Sequence, residues 1–89
     1  MKIEVKKFGE ILMSHPAGRE AWLVIEAYLQ PATKTEPIEL DFSGVLVMGP
    51  SWLDEVLAPL QTKFGDRVVC LPTSNTSVIE SLKAISPEE

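Results

Sequence analysis

Few side chains in this sequence are of a type that can do chemistry, and their spacing narrows the choice further. His15, the one histidine, stands beside Pro16 with no cysteine or serine motif near it. An imidazole in that position reads as a helix-start or surface group rather than a catalytic base. Cys70, the one cysteine, lies in the apolar run Val68-Val69-Cys70-Leu71, where a thiol behaves as a small hydrophobe with a raised pKa. A single cysteine allows neither an internal disulfide nor a cysteine-based zinc site, and a reducing compartment fits. Asp41 and Ser43 alternate to one side of a strand, and Asp54 and Glu55 open the next helix. Together they have the makings of a carboxylate cluster for a divalent cation or for acid-base work. The helix macrodipole explains acids in a first turn more simply, and no metal site is expected. Neither Gly-x-x-x-x-Gly-Lys nor Gly-x-Gly-x-x-Gly occurs, so the common nucleotide fingerprints are missing. No cofactor is expected, and the chain reads as non-enzymatic.

The most informative segment is Gly49-Pro50-Ser51-Trp52-Leu53-Asp54-Glu55. It sets a serine hydroxyl between the carboxyl end of a strand and the start of a helix, the place where open α/β sheets present functional groups. Ser51 is either an ordinary N-cap, with Asp54 as a weak capping-box partner, or a residue that takes a phosphate. A phosphate there gains from the helix dipole and free N–H groups, and is opposed by Asp54 and Glu55. Trp52 either plugs the core or offers an aromatic anchor to a partner.

The elements that position these residues follow from hydrophobic spacing. Ile3 and Val5 alternate with Lys2, Glu4 and Lys6, which predicts a strand at or near a sheet edge. Phe8, Ile11 and Leu12 allow a second short pairing segment after Gly9. Ser14 or His15 before Pro16 starts a helix whose apolar face is Ala21, Val24, Ile25, Tyr28 and Leu29, closed by Pro31. Leu23 falls on its polar side, as a surface leucine or part of a partner surface. Residues 32–37 form a polar connection. Ile38, Leu40 and Phe42 alternate with Glu39, Asp41 and Ser43, and Val45-Leu46-Val47-Met48 suits a central strand covered by helices on both faces, bulged or bent at Gly44. Trp52, Leu53, Val56, Leu57, Leu60 and Phe64 stripe a second helix, with a kink expected at Pro59. Val68–Leu71 is a last strand. Asn75 or Ser77 caps a third helix with Val78, Ile79, Leu82 and Ile85 on its apolar face, and residues 86–89 should fray. Strand and helix alternate, which predicts a single α/β domain over residues 1–89 with a mostly parallel central sheet and helices packed against it.

Composition excludes several classes of function. Thirteen acidic against eight basic residues give a net charge of -5, the wrong sign for a nucleic-acid surface. No unbroken apolar stretch, residues 45–48 included, comes near the roughly 20 residues of a membrane span. No signal-peptide segment begins the chain, so the expected setting is cytoplasmic, with no membrane or nucleic-acid partner. Oligomeric state stays open.

The run Ile38-Glu39-Leu40-Asp41-Phe42-Ser43-Gly44-Val45, followed by Ser51 and Trp52-Leu53-Asp54-Glu55, resembles the STAS-like domain family of unknown function. That family is related to the STAS domains of anti-sigma-factor antagonists. The resemblance covers most of the chain and is most specific over residues 38–57. It implies a small STAS-like fold and a regulatory, protein-binding role in bacterial signalling. In antagonist STAS domains a hydroxyl residue after the central strand is phosphorylated by a kinase of the histidine-kinase ATPase type, and carried over by position that phosphoacceptor is Ser51. Trp52, Asp54 and Glu55 beside it become the implied partner contacts. The alternative is a sensor that binds a small ligand or nucleotide at the strand-helix junction around Gly49 to Ser51.

Overall fold

A computed structural model describes residues 1–29 and 36–85. The expected polar connection falls largely, and Pro31 and the expected C-terminal fraying at residues 86–89 fall wholly, outside them. Among the described residues the strands are β1 (Lys2–Glu4), β2 (Ile11–Leu12), β3 (Ile38–Asp41), β4 (Val47–Met48) and β5 (Val68–Cys70). The α-helices among these residues are α1 (His15–Tyr28), α2 (Pro50–Phe64) and α3 (Thr76–Ile85). Each ladder is parallel: β1-β3-β5 make one sheet, and β2 and β4 pair as a separate two-stranded ladder. The chain is therefore α/β with a mostly parallel sheet, β3 is the middle strand of the larger sheet, and β1 is an edge.

Burial along the strands shows how the layers lie. Ile3, Ile38, Leu40 and Phe42 are buried, while Lys2 and Glu4 are exposed and Glu39 and Asp41 only partly covered. Period-two alternation thus puts the helices on one face of the sheet and leaves the other to solvent. This corrects the expectation for residues 45–48. Only Val47 and Met48 are strand, and Leu46 and Val47 are exposed, because no helix among the described residues covers the second face. The break comes at Ser43-Gly44, where Val45 N–H donates to the Phe42 carbonyl at 3.1 Å. Gly44 has φ +87°, the left-handed value that the third residue of a type II turn requires.

Ser14 caps α1 by accepting from Ala17 N–H at 3.2 Å, with Pro16 in the first turn as expected. The buried face of α1 is rotated from the expected one. Gly18, Ala21 and Ile25 are buried, whereas Val24 and Tyr28 are exposed. The cause is Gly18, which lets α1 lie directly on the backbone of α2 and so fixes which side turns inward. In α2, Trp52, Leu53, Val56, Leu57 and Leu60 are buried on both sides of Pro59, which stays inside the helix. Val78 brings α3 into the same core.

Candidate functional site

β2 and β4 end side by side, and each feeds a helix from its carboxyl end. Gly49 N–H donates to the Leu12 carbonyl at 2.9 Å, which ties the start of α2 to the start of α1. Proline is preset for the first helical position and has no N–H to leave unsatisfied there. Pro50 accordingly opens α2, and Gly49 is the N-cap, with no side-chain hydrogen bond at the cap. Ser51 is therefore not the cap that the sequence suggested. It is the second residue of the helix, half-buried. Ser51→Ala should accordingly change stability by less than about 0.5 kcal/mol in urea titrations. A loss near ~1 kcal/mol, the usual value of an N-cap, would return the capping role to it.

The residues after Ser51 divide between core and surface. Trp52 is 1% exposed, its ring centroid 6.3 Å from that of Phe8 in a tilted arrangement. Its indole plugs the core and is no surface anchor, so it leaves the set of partner contacts. Asp54 and Glu55 lie three and four positions beyond Ser51, on the same side of α2. They sit in the second turn, and the first holds no acid, so the macrodipole does not account for them. Glu55 Oε2 lies 3.0 Å from His15 Nδ1, a contact between α2 and the first residue of α1. His15 is the exposed helix-start residue expected, and it joins the site as the partner of a carboxylate.

A family described as STAS-like domain of unknown function (DUF4325) matches residues 20–77. The chain belongs to this STAS-like family. No curated protein and no solved structure matches it. In this STAS-like domain the match takes in β3, β4, all of α2 and β5, and so the whole Gly49–Glu55 segment.

Two features of the STAS-like domain beside the site were not read from the sequence. The first is a polar clamp. Asn75 Nδ2 donates to the Val45 carbonyl at 2.8 Å and to the Leu46 carbonyl at 3.1 Å. Ser77 Oγ accepts from Met48 N–H at 3.0 Å, and the buried Ser81 Oγ donates to the Met48 carbonyl at 3.0 Å. Side chains of α3 and its cap thus take the place of a neighbouring strand along β4. The available signal was Ser81, a serine three positions after Val78 on an otherwise apolar face. The second feature is an apolar surface. Ile11 pairs with Val47 in the ladder, and both face outward with Met13 and Leu46, at 69%, 41%, 50% and 61% exposure. Met13 reaches Gly49, so this surface runs up to the start of α2.

Asp41 and Ser43 do not join the Ser51 site. The Asp41 carboxylate accepts from Ser43 N–H at 3.0 Å and shapes the turn after β3. Among the described residues no group of His, Cys, Asp and Glu comes together as a metal-ligand set. The Ser43 N–H, then the Ser43 hydroxyl and nearby Lys2, hold the Asp41 carboxyl below its usual value. A depressed carboxyl stabilises the fold above its unfolded pKa, about 3.9, and loses that contribution as pH falls through the folded value. Asp41→Asn should therefore be less stable than wild type at pH 7, with the gap closing below pH ~4. Urea titrations at neutral and acid pH check this, and a gap unchanged by pH would contradict it. Burial pushes the Cys70 thiol up, as its place in an apolar strand suggested.

Proposed function

We propose that this STAS-like domain is a non-enzymatic regulatory module that docks a protein partner through the outward side of β2-β4 and the first turn of α2, with Ser51 as its phosphoacceptor. The observation that carries this reading is the exposure of Ile11, Met13, Leu46 and Val47 on the segments that lead into α1 and α2, with Met13 reaching Gly49, two residues before Ser51. Isolated exposed apolar residues are ordinary, whereas several together next to a polar site mark contact surfaces. A kinase of the histidine-kinase ATPase type is the partner that the relation to antagonist STAS domains suggests, acting in the cytoplasm. No helix among the described residues is long and apolar enough to cross a membrane.

Ser51 at the second helical position sets its hydroxyl among the free N–H groups of the first turn, which favour a phosphate. Asp54 and Glu55 on the same side oppose it, and His15 offsets part of the Glu55 charge when protonated. A phosphate there adds nearly two negative charges at the margin of an apolar contact, which raises the cost of desolvating that margin. The test captures the partner from the native cytoplasm, identifies it by mass spectrometry, and measures its Kd for wild type, Ser51→Ala, Ser51→Glu and Ile11→Glu. Ser51→Glu and Ile11→Glu should each weaken binding about tenfold or more, by roughly 1.4 kcal/mol, and Ser51→Ala much less. Equal affinity for all four proteins overturns the proposal. A thermal-shift series with nucleotides runs beside it, and a large stabilisation would favour a ligand sensor instead.

A further inference from the structure

Among the described residues β1 pairs with β3 on one side only, and no strand pairs with its other edge. Glu39 N–H donates to the Met1 carbonyl at 2.8 Å, which sets the phase of the ladder. Met1 and Ile3 turn their backbone groups to β3, and Lys2 and Glu4 turn theirs outward. Glu4 is also the N-cap of the 3₁₀ turn at Val5–Phe8, so its carbonyl is taken by that turn. The Lys2 N–H and C=O and the Glu4 N–H remain as the outward row. Along this edge runs a groove of about 420 Å³, walled by Ile3 and Phe8 and by Val24, Ile25 and Tyr28 of α1. Val24 is 47% and Tyr28 76% exposed.

We propose that the edge of β1 pairs with β1 of a second copy of this chain, antiparallel about a two-fold axis through Ile3, so that one sheet runs through a homodimer. The charge pattern of the edge is its own complement. In this register Lys2 of each protomer faces Glu4 of the other, and the two Ile3 residues meet on the helix side. Opposite charges directly across a ladder stabilise it, and like charges destabilise it. The backbone phase selects the same register, because the outward Glu4 N–H of each protomer meets the outward Lys2 carbonyl of the other and donates to it. A slip by one residue sets Lys2 against Ile3 and brings a charge to the apolar side. The two-fold axis also brings the α1 helices together over Val24 and Tyr28, the residues left uncovered within one chain. A three-residue strand is a small contact, so the association is weak and depends on concentration.

Sedimentation velocity on the full chain over a concentration series tests this. Wild type should pass from monomer to dimer. Lys2→Glu and Glu4→Lys each turn two opposite-charge pairs into two like-charge pairs and should raise the dimer Kd about tenfold. The double variant Lys2→Glu/Glu4→Lys restores the opposite pairs with the signs exchanged, and its Kd should return to within about threefold of wild type. Circular dichroism at low concentration checks that each variant is folded, and the double variant shows that any loss in the singles comes from pairing. Wild type that stays monomeric, singles that associate as tightly as wild type, or a double variant that fails to recover would each overturn the proposal.

Discussion

Gly18→Ala is expected to destabilise the domain by about 2 kcal/mol net, a fall in Tm of roughly 10 °C or more for a chain of this size. A Cβ at residue 18 would stand 2.6 Å from the Trp52 carbonyl oxygen, 2.9 Å from Glu55 Cβ and 3.0 Å from Trp52 Cα. Two of these three atoms are backbone, so no side-chain rotation relieves the contact. α2 as a whole has to move away from α1, opening the core around Trp52. Two effects favour alanine: its better helix propensity and the lower entropy of its unfolded chain, each worth up to ~1 kcal/mol. They offset only part of a backbone clash, for which overpacking costs of up to ~3 kcal/mol or more are typical. Urea unfolding followed by tryptophan fluorescence gives the difference. An alanine variant as stable as wild type would mean that the helices separate at little cost, and that Gly18 does not set the phase of α1.

Asn75→Ala should cost about 3 kcal/mol, because one side chain serves three groups of partners. Asn75 Oδ1 accepts from Val78 N–H at 3.2 Å, which caps α3, and from the Ser77 hydroxyl at 2.6 Å. Its Nδ2 holds the Val45 and Leu46 carbonyls. Those carbonyls only accept, so the orientation of the amide is fixed by its surroundings. Losing a cap costs ~1 kcal/mol, and each partly buried partner left without its hydrogen bond adds ~1 kcal/mol. Asn75→Asp separates the two roles. A carboxylate still caps α3 but turns lone pairs toward the carbonyls of Val45 and Leu46, so it keeps the cap and loses the clamp. Its stability should fall between those of wild type and the alanine variant, with the Met48 amide exchanging faster than in wild type. Aspartate equal to wild type on both measures would assign all of the effect to the cap.

The parts of the fold legible in the sequence were those set by local pattern. The alternation of Ile38, Leu40 and Phe42 gave the middle strand and its inward face, and Ser14 with Pro16 gave the start of α1. The α2 stripe was readable across Pro59 because burial of Val56, Leu57 and Leu60 outweighs one missing hydrogen bond. What escaped depended on contacts between distant segments. The inward side of α1 follows from a backbone contact between Gly18 and Trp52, and the spacing of Val24 and Tyr28 allowed the other choice equally well. An apolar run such as residues 45–48 has the same composition whether it is sealed in a core or waiting at a surface, and only the number of helix layers decides. At the candidate site, Ser51 was correctly placed at the strand-helix junction and wrongly made the cap, because Pro50 before it is the better first helical residue. The clamp on Met48 joins residues 33 positions apart through Ser81, and no window of local sequence contains it.

The parallel pairing of every ladder also governs how this chain folds in time. Antiparallel neighbours closed by a tight turn form within microseconds, and no ladder here has such a shortcut. The nearest partners in sequence, Ile38 and Val68, are 30 positions apart, and Lys2 and Glu39 are 37 apart. Loop closure must precede each pairing, which puts refolding with slower domains of high contact order rather than with helical bundles. During synthesis the helices can form as they emerge, whereas the sheet waits for its last strand. Until Val68 has left the ribosome the middle strand keeps one edge bare, and the nascent chain is most exposed to aggregation in that interval.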